Sequence, residues 1–388
     1  MLIGFVSDTD PFTDRTSWSG TVYKLRESIE HAGFDVVWVR FDKRLDDLRS
    51  KIGLRLLNWY IRFSHKQVVG TCYLGFFCRY YAKTIERQGL YASCDYLFFA
   101  GPSGAQIALY LKKAVPYIYL ADASYHLMEN YYWFNLSPFF ARRARRQEEQ
   151  ATQRAWLNIR SSQWAADGAV RCCGADPQRM AVLEFGANID EHDISTVAPY
   201  NDGPLNIIFS GTDWQRKGGD VAVQTVELLR DMGLDARLFI VGIRELPAVH
   251  QGKMFITNVG FLNKNQPADY RRYTDLWHRA HLLLLPTRAE CSAIVFSEAA
   301  AYGIPVFTYD TGGTANYVVD GLNGYRLPLR QGAGAFAQRI HACITDHQMA
   351  TLAQGARHLY DDKLSWTRWM ERFRHLINDL NTHALPRL

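Results

Sequence analysis

Along this 388-residue chain, short unbroken apolar runs alternate with stretches whose apolar positions recur every three or four residues. Runs of four to eight residues fit strands buried on both faces. The three-or-four spacing fits helices with one covered side. Their alternation is the mark of parallel sheets built from strand–helix–strand units. Residues 2–7 predict a buried strand, and residues 21–32 a helix with Val22, Leu25 and Ile29 on one side. Further strands are expected over residues 35–41, 96–101, 116–121, 157–161 and 180–185. Residues 50–90 predict one or two helices.

Residues 186–204, GANIDEHDISTVAPYNDGP, are turn-rich and weakly periodic, as a linker would be. The pattern then restarts. Strands are predicted over residues 205–210, 236–241, 254–259, 281–286 and 305–310, and helices over 217–232, 269–280, 294–302, 334–346 and 347–360. A last helix spans 366–381. The reading is an α/β fold of two tandem Rossmann-like domains, residues 1–190 and 205–365, joined by a linker over 191–204. In open sheets of this kind ligands sit outside the carboxyl ends of the strands. Two such domains facing each other make an interdomain cleft.

Composition narrows the function. With 48% hydrophobic and 21% charged residues the chain has apolar surface for real cores and is not a disordered protein. Its 44 Lys and Arg against 39 Asp and Glu leave a net charge of +5, too mild to argue for nucleic acid. The densest basic run, Arg142–Arg146 around Ala144, is followed by Glu148 and Glu149 and reads as a solvated helix face. Seven scattered cysteines make neither a disulfide framework nor a zinc-ligand spacing, so no metal is expected, and reduced thiols suggest a cytoplasmic setting. The N-terminus carries no signal-peptide pattern, and no apolar run is long enough to span a bilayer.

Five stretches could carry chemistry. SGTDWQRKGG, residues 210–219, follows a strand and opens a helix. Gly211 allows close backbone approach, and the helix start, Arg216 and Lys217 would favour a phosphate group. It lacks the ending of a P-loop, and a plain surface turn is the alternative. ECSAIVFSE, residues 290–298, follows the strand at 281–286. Glu290 falls at that strand's carboxyl end and Glu298 about a turn into the next helix, while the amides of Cys291, Ser292, Ala293 and Ile294 lie at the helix start. Most such carboxylate pairs are merely solvated. Gly312 and Gly313 follow a further strand, where a tight turn would explain them. Gly20 ends a loop after the first strand that is either phosphate-facing or an ordinary cap. Asp122 and His126 follow the strand at 116–121.

Together these stretches resemble the retaining GT-B glycosyltransferases of family 4, over nearly the whole chain and most strongly over residues 205–325. GTDWQRKGGDVAVQTVELLRDMGLDARLFIVG is similar to the family's phosphate-binding strand–loop–helix, and PTRAECSAIVFSEAAAYGIPVFTYDTGGTANYVVDGLNGYRL to its E-x7-E region. The resemblance implies a nucleoside diphosphate sugar held mainly by the second domain and no cofactor. It implies Arg216 and Lys217 on the diphosphate, Glu298 on the ribose, Glu290 near the sugar, and Gly20 approaching the phosphates. The final helix, within residues 366–388, would cross back to the first domain. Many members carry a His where Asp122 stands and a Glu where Asn316 stands, so the roles of Asp122 and of nearby His126 stay open.

The activity implied is transfer of a sugar, without a metal, to a glycan or lipid-linked acceptor in cell-surface polysaccharide or glycoconjugate synthesis. A sugar-nucleotide epimerase of the same architecture and a non-catalytic nucleotide-sugar-binding protein are the rival readings. A nicotinamide enzyme is disfavoured because neither first strand–helix loop carries Gly-x-Gly-x-x-Gly. Residues 49–87 hold eight Lys or Arg and a single acid, Glu86. Leu54, Leu57 and Ile61 share a helical side there, with Arg55, Arg62 and Lys66 around it. That side either rests on an anionic membrane, with the chain peripheral at the inner face, or packs into the core.

Overall fold

A computed structural model describes residues 1–101 and 104–382. The expected closing segment 366–388 therefore has its last six residues outside the described range. The chain divides into two compact units. One holds residues 1–18, 22–183 and those from Met370 onward; the other holds residues 19–21 and 184–369. Residues 186–204, read as a linker, thus count with the second unit.

The first unit is a six-stranded parallel sheet of β1 (Leu2–Ser7), β2 (Asp35–Arg40), β3 (Tyr96–Ala100), β4 (Tyr117–Ala121), β5 (Leu157–Arg160) and β6 (Met180–Val182), in the order β2-β1-β3-β4-β5-β6. Strands β3 and β4 are buried at every residue, which is why they read as unbroken apolar runs. The stretch expected as one or two helices is two, Leu48–Ser64 and Gly75–Gln88. Leu57 of the former is buried, and Leu54 and Ile61 pack against the same core. Of the two readings of that side, membrane contact and core packing, it packs inward. From Met370 onward the last helix, Trp366–Thr382, packs here too: Phe373 lies 5.7 Å from the Phe34 ring and 6.0 Å from that of Phe98.

The second unit is also six-stranded and parallel: β7 (Leu205–Ser210), β8 (Ala236–Val241), β9 (Ile256–Gly260), β10 (Leu282–Leu285), β11 (Val306–Tyr309) and β12 (Gly324–Leu327), in the order β12-β11-β10-β7-β8-β9. Numbered from its own first strand, this is 6-5-4-1-2-3, the Rossmann order read from the far edge. Strand β12 escapes sequence reading because it is short, lies at the sheet edge and alternates only weakly. Helix Gln163–Cys173 escapes it because alanines and a glycine fill its buried side. Both sheets are twofold-covered α/β layers, and the buried cluster of each sits around its central strands.

Candidate active site

The order of the second sheet reverses between β7 and β10, and the loops leaving the carboxyl ends of those two strands diverge there. Such a switch point is where open α/β sheets bind ligands. The loop after β7 carries Arg216 and Lys217, and the loop after β10 carries Glu290.

Local sequence shapes the first loop. Asp213 caps a one-turn helix, Trp214–Lys217, by accepting from the Arg216 amide at 3.0 Å. Gly218, at φ +77°, ends it, and a second helix starts at Gly219. The single helix expected from residue 217 is therefore broken, and Lys217 closes the first turn. A β-carbon on Gly218 would come within 2.1 Å of the Pro286 carbonyl oxygen, just past β10. Gly218→Ala combines left-handed backbone with this clash. It should cost about 2 kcal/mol in urea unfolding; an unchanged midpoint would refute the tight join of the two loops.

Trp214 anchors the same turn. Its Nε1 donates to Asp220 at 2.9 Å, and His250 Nε2 lies 2.8 Å from the same carboxylate. Burial pushes the Asp220 pKa up, but the hydrogen bonds from His250 and Trp214 outweigh it and hold the group below its ordinary value.

Lys217 lies back over Gly211, where a β-carbon would meet its Cγ at 2.9 Å, and its ammonium pairs with the buried Glu290 carboxylate. Arg216 donates to the Ala289 carbonyl at 3.0 Å and stands 3.8 Å from Glu290. The Gly313 amide donates to the Glu290 carbonyl at 3.0 Å, so the turn Gly312–Gly313 after β11 holds the glutamate's backbone. Cys291 and Ala293 are buried, Ser292 and Ile294 half-buried. They lead into helix Ile294–Ala301, whose start carries no side-chain cap. Among the sequence candidates, Arg216 and Lys217 thus face the Glu290 carboxylate, Gly211 lies against Lys217, and Gly313 holds the Glu290 backbone.

Glu298 is buried in helix Ile294–Ala301, one oxygen accepting from Lys264 Nζ at 2.6 Å, the other from Tyr273 Oη at 2.6 Å. Lys264 also reaches the Asn188 carbonyl at 3.3 Å. Asn188 donates to the Ser19 carbonyl at 2.9 Å and to Thr21 Oγ1 at 3.0 Å, and accepts from Trp366 Nε1 at 3.2 Å. Through Asn188, then, the Gly20 loop is tied to the Lys264–Glu298 pair. That loop is strained: Trp18, Ser19 and Gly20 have φ of 49°, 61° and 93° in succession, of order 1–3 kcal/mol for each non-glycine residue so held. Sequence reading missed Lys264, Tyr273 and Asn188. The only available signal was that Lys264 falls just beyond the carboxyl end of β9.

Asp122 and His126 belong to the first unit. His126 sits in the one-turn helix Tyr125–Met128, with Nε2 3.4 Å from Glu149 and Nδ1 3.8 Å from Cys173 Sγ. Burial, only partly offset by Glu149, lowers its pKa and keeps the ring neutral near pH 7. Asn316 donates to Glu184 at 2.7 Å.

Residues 204–346, which carry both loops and Glu298, match the family model described as glycosyl transferases group 1. That stretch of the chain is similar to the group 1 glycosyltransferases. A relative, the D-inositol 3-phosphate glycosyltransferase of Xylanimonas cellulosilytica, is 29% identical over 240 residues, 54% of either chain. The chain spans about half the length of the curated relatives it matches. Among solved structures, sucrose-phosphate synthase from Thermosynechococcus elongatus superposes with a TM-score of 0.70 at 15% identity, over 99% of this chain and 100% of that one. Anabaena HepE, solved with UDP-glucose, does so at 0.64 and 15%, over 98% and 100%. These likenesses give the chain its fold: GT-B, two tandem Rossmann-like domains. Among the described residues no helix is long and apolar enough to cross a membrane.

Proposed function

We propose that this chain is a retaining glycosyltransferase that moves a sugar from a uridine diphosphate sugar to a glycan or lipid-linked acceptor at an anionic membrane face. The observation that carries the reading is the cationic pair at the sheet's switch point, Arg216 and Lys217, facing the buried Glu290. The family match and the UDP-sugar bound by a neighbour of the same fold support it.

Breaking the bond between the anomeric carbon and the β-phosphate oxygen leaves positive character on the sugar and new negative charge on the nucleoside diphosphate. Arg216 and Lys217 would take up the latter, and the Glu290 carboxylate would face the former. The acceptor hydroxyl forms the new bond on the face the phosphate leaves, and its proton passes to the departing phosphate oxygen. Arg216 and Lys217 are assigned the charge that a divalent ion would otherwise take up, so the reading needs none.

A thermal-shift series tests it. UDP and UDP-glucose should raise the melting temperature, by about 2.7 kcal/mol of stabilisation at a hundredfold excess over Kd, and transfer should persist unchanged in EDTA. Conversion of donor alone into an epimeric sugar nucleotide would favour the epimerase instead. Loss of turnover in EDTA, restored by a divalent cation, would remove the cations from their assigned role.

A further inference from the structure

Helix Leu48–Ser64 has two apolar sides. Leu54, Leu57 and Ile61 point into the core of the first unit. Leu48, Ile52, Leu56, Trp59 and Phe63, spaced by four, four, three and four, form a second stripe that is open to solvent; Leu56, Trp59 and Phe63 are 62%, 61% and 63% exposed. The Trp59 and Phe63 rings pack against each other, tilted by 48° with centroids 4.7 Å apart. Four basic residues, Arg49, Lys51, Arg55 and Arg62, flank the stripe, and the helix has no acid.

Beside the stripe runs a groove of 850 Å³, walled by this helix, by Gly75–Gln88 and by Pro138–Arg154, with Leu56 common to stripe and groove. Gly53 lets it form: a β-carbon there would lie 2.6 Å from the Phe76 ring. Its lining includes Arg79, Arg143 and Arg146 and no acidic residue. The Arg143 guanidinium lies 3.8 Å from the centre of the Phe139 ring, and that of Arg79 5.2 Å from that of Tyr110. Both are thus held over aromatic faces with donors left for an anion. The volume is that of a small-ligand site, about 300–1,000 Å³.

We infer that this face is a docking site for an anionic phospholipid bilayer: the stripe enters the headgroup–acyl boundary, and the groove takes one acyl chain of a lipid whose phosphate rests on Arg79 and Arg143. A helix with an aromatic apolar side and a basic flank lies in such an interface. Charge decides against a second copy of the chain as the occupant. Pairing two stripes would bring eight cations together with no acid from either helix, whereas anionic lipid neutralises them. This names the residues and the ligand behind the membrane setting proposed above, and it concerns no residue of the sugar-donor site.

The test is flotation of the full chain, without donor, on phosphatidylcholine vesicles with and without phosphatidylglycerol. Phosphatidylglycerol should promote binding, and salt should weaken it. W59S/F63S, both exposed positions, should reduce partitioning roughly tenfold with an unchanged melting temperature. R79E/R143E should reduce the salt-sensitive part similarly and abolish a phospholipid adduct in native mass spectrometry. Equal binding to both vesicles, or none, overturns the docking site whatever the outcome of the UDP experiment. Binding and adduct that survive R79E/R143E overturn the groove assignment. A dimer in solution that W59S/F63S disperses means that a second copy covers the stripe, and this too overturns it.

Discussion

Replacing Lys217 by alanine should lower kcat by about 10²–10³-fold, the usual cost of removing one preorganised contact to charge that develops in the transition state. The same substitution should also destabilise the fold. Glu290 is buried, and without Lys217 it keeps Arg216 at 3.8 Å. Breaking a buried pair from one side costs up to about 3–5 kcal/mol, lessened here by Arg216. The double variant Lys217→Ala with Glu290→Gln separates the two effects, because neutralising the carboxylate should restore the melting temperature and leave turnover low. A Lys217→Ala enzyme with the turnover of the parent would sink the leaving-group role, whatever its stability.

The second large effect belongs to the first unit. Glu148, on helix Pro138–Arg154, is wholly buried. It accepts from Tyr119 Oη at 2.9 and 3.1 Å and from the Gln106 amide. Burial pushes its pKa up from 4.5 to about 7, against the pull of the nearby Arg160 guanidinium and these hydrogen bonds. The folded chain therefore keeps a proton that the unfolded chain gives up near pH 4.5. Stability should fall as pH rises from about 4.5 to 7 and then level off. The full penalty is about 3 kcal/mol, at 1.36 kcal/mol per unit.

Glu148→Gln removes the ionisation while keeping the shape. At pH 8 the variant should be more stable than the parent by up to that amount, less any repacking cost; at pH 4.5 the gap should vanish. Urea midpoints measured across this range decide the matter, and parallel curves for the two proteins would show that Glu148 is not the group responsible.

Much of this was legible without coordinates, but not evenly. The buried strands were, because parallel strands covered on both faces must be apolar at nearly every position, and that is a local property. The phosphate-type loop and the E-x7-E spacing were, because each lies within ten consecutive residues. Glu148 was not: in RRARRQEEQ it looks like one more charge on a solvated helix, and only the packing of that helix against β4 buries it. Helix Leu48–Ser64 misled in the opposite sense, since periodicity reveals an apolar side but not which of two such sides the core takes.

The sequence by itself determined the α/β alternation, the two-part organisation and the residue types able to hold a diphosphate. Each follows from neighbours a few positions apart. The tertiary structure alone decided the pairs on which the proposed chemistry depends. Lys217 and Glu290 are 73 residues apart, and Lys264 and Glu298 are 34. Lys217 and Glu290 meet because the second sheet is ordered β12-β11-β10-β7-β8-β9, which sets the loops after β7 and β10 side by side. Strand order is fixed by crossovers and by the packing of many elements at once, and no short window of the chain contains that information.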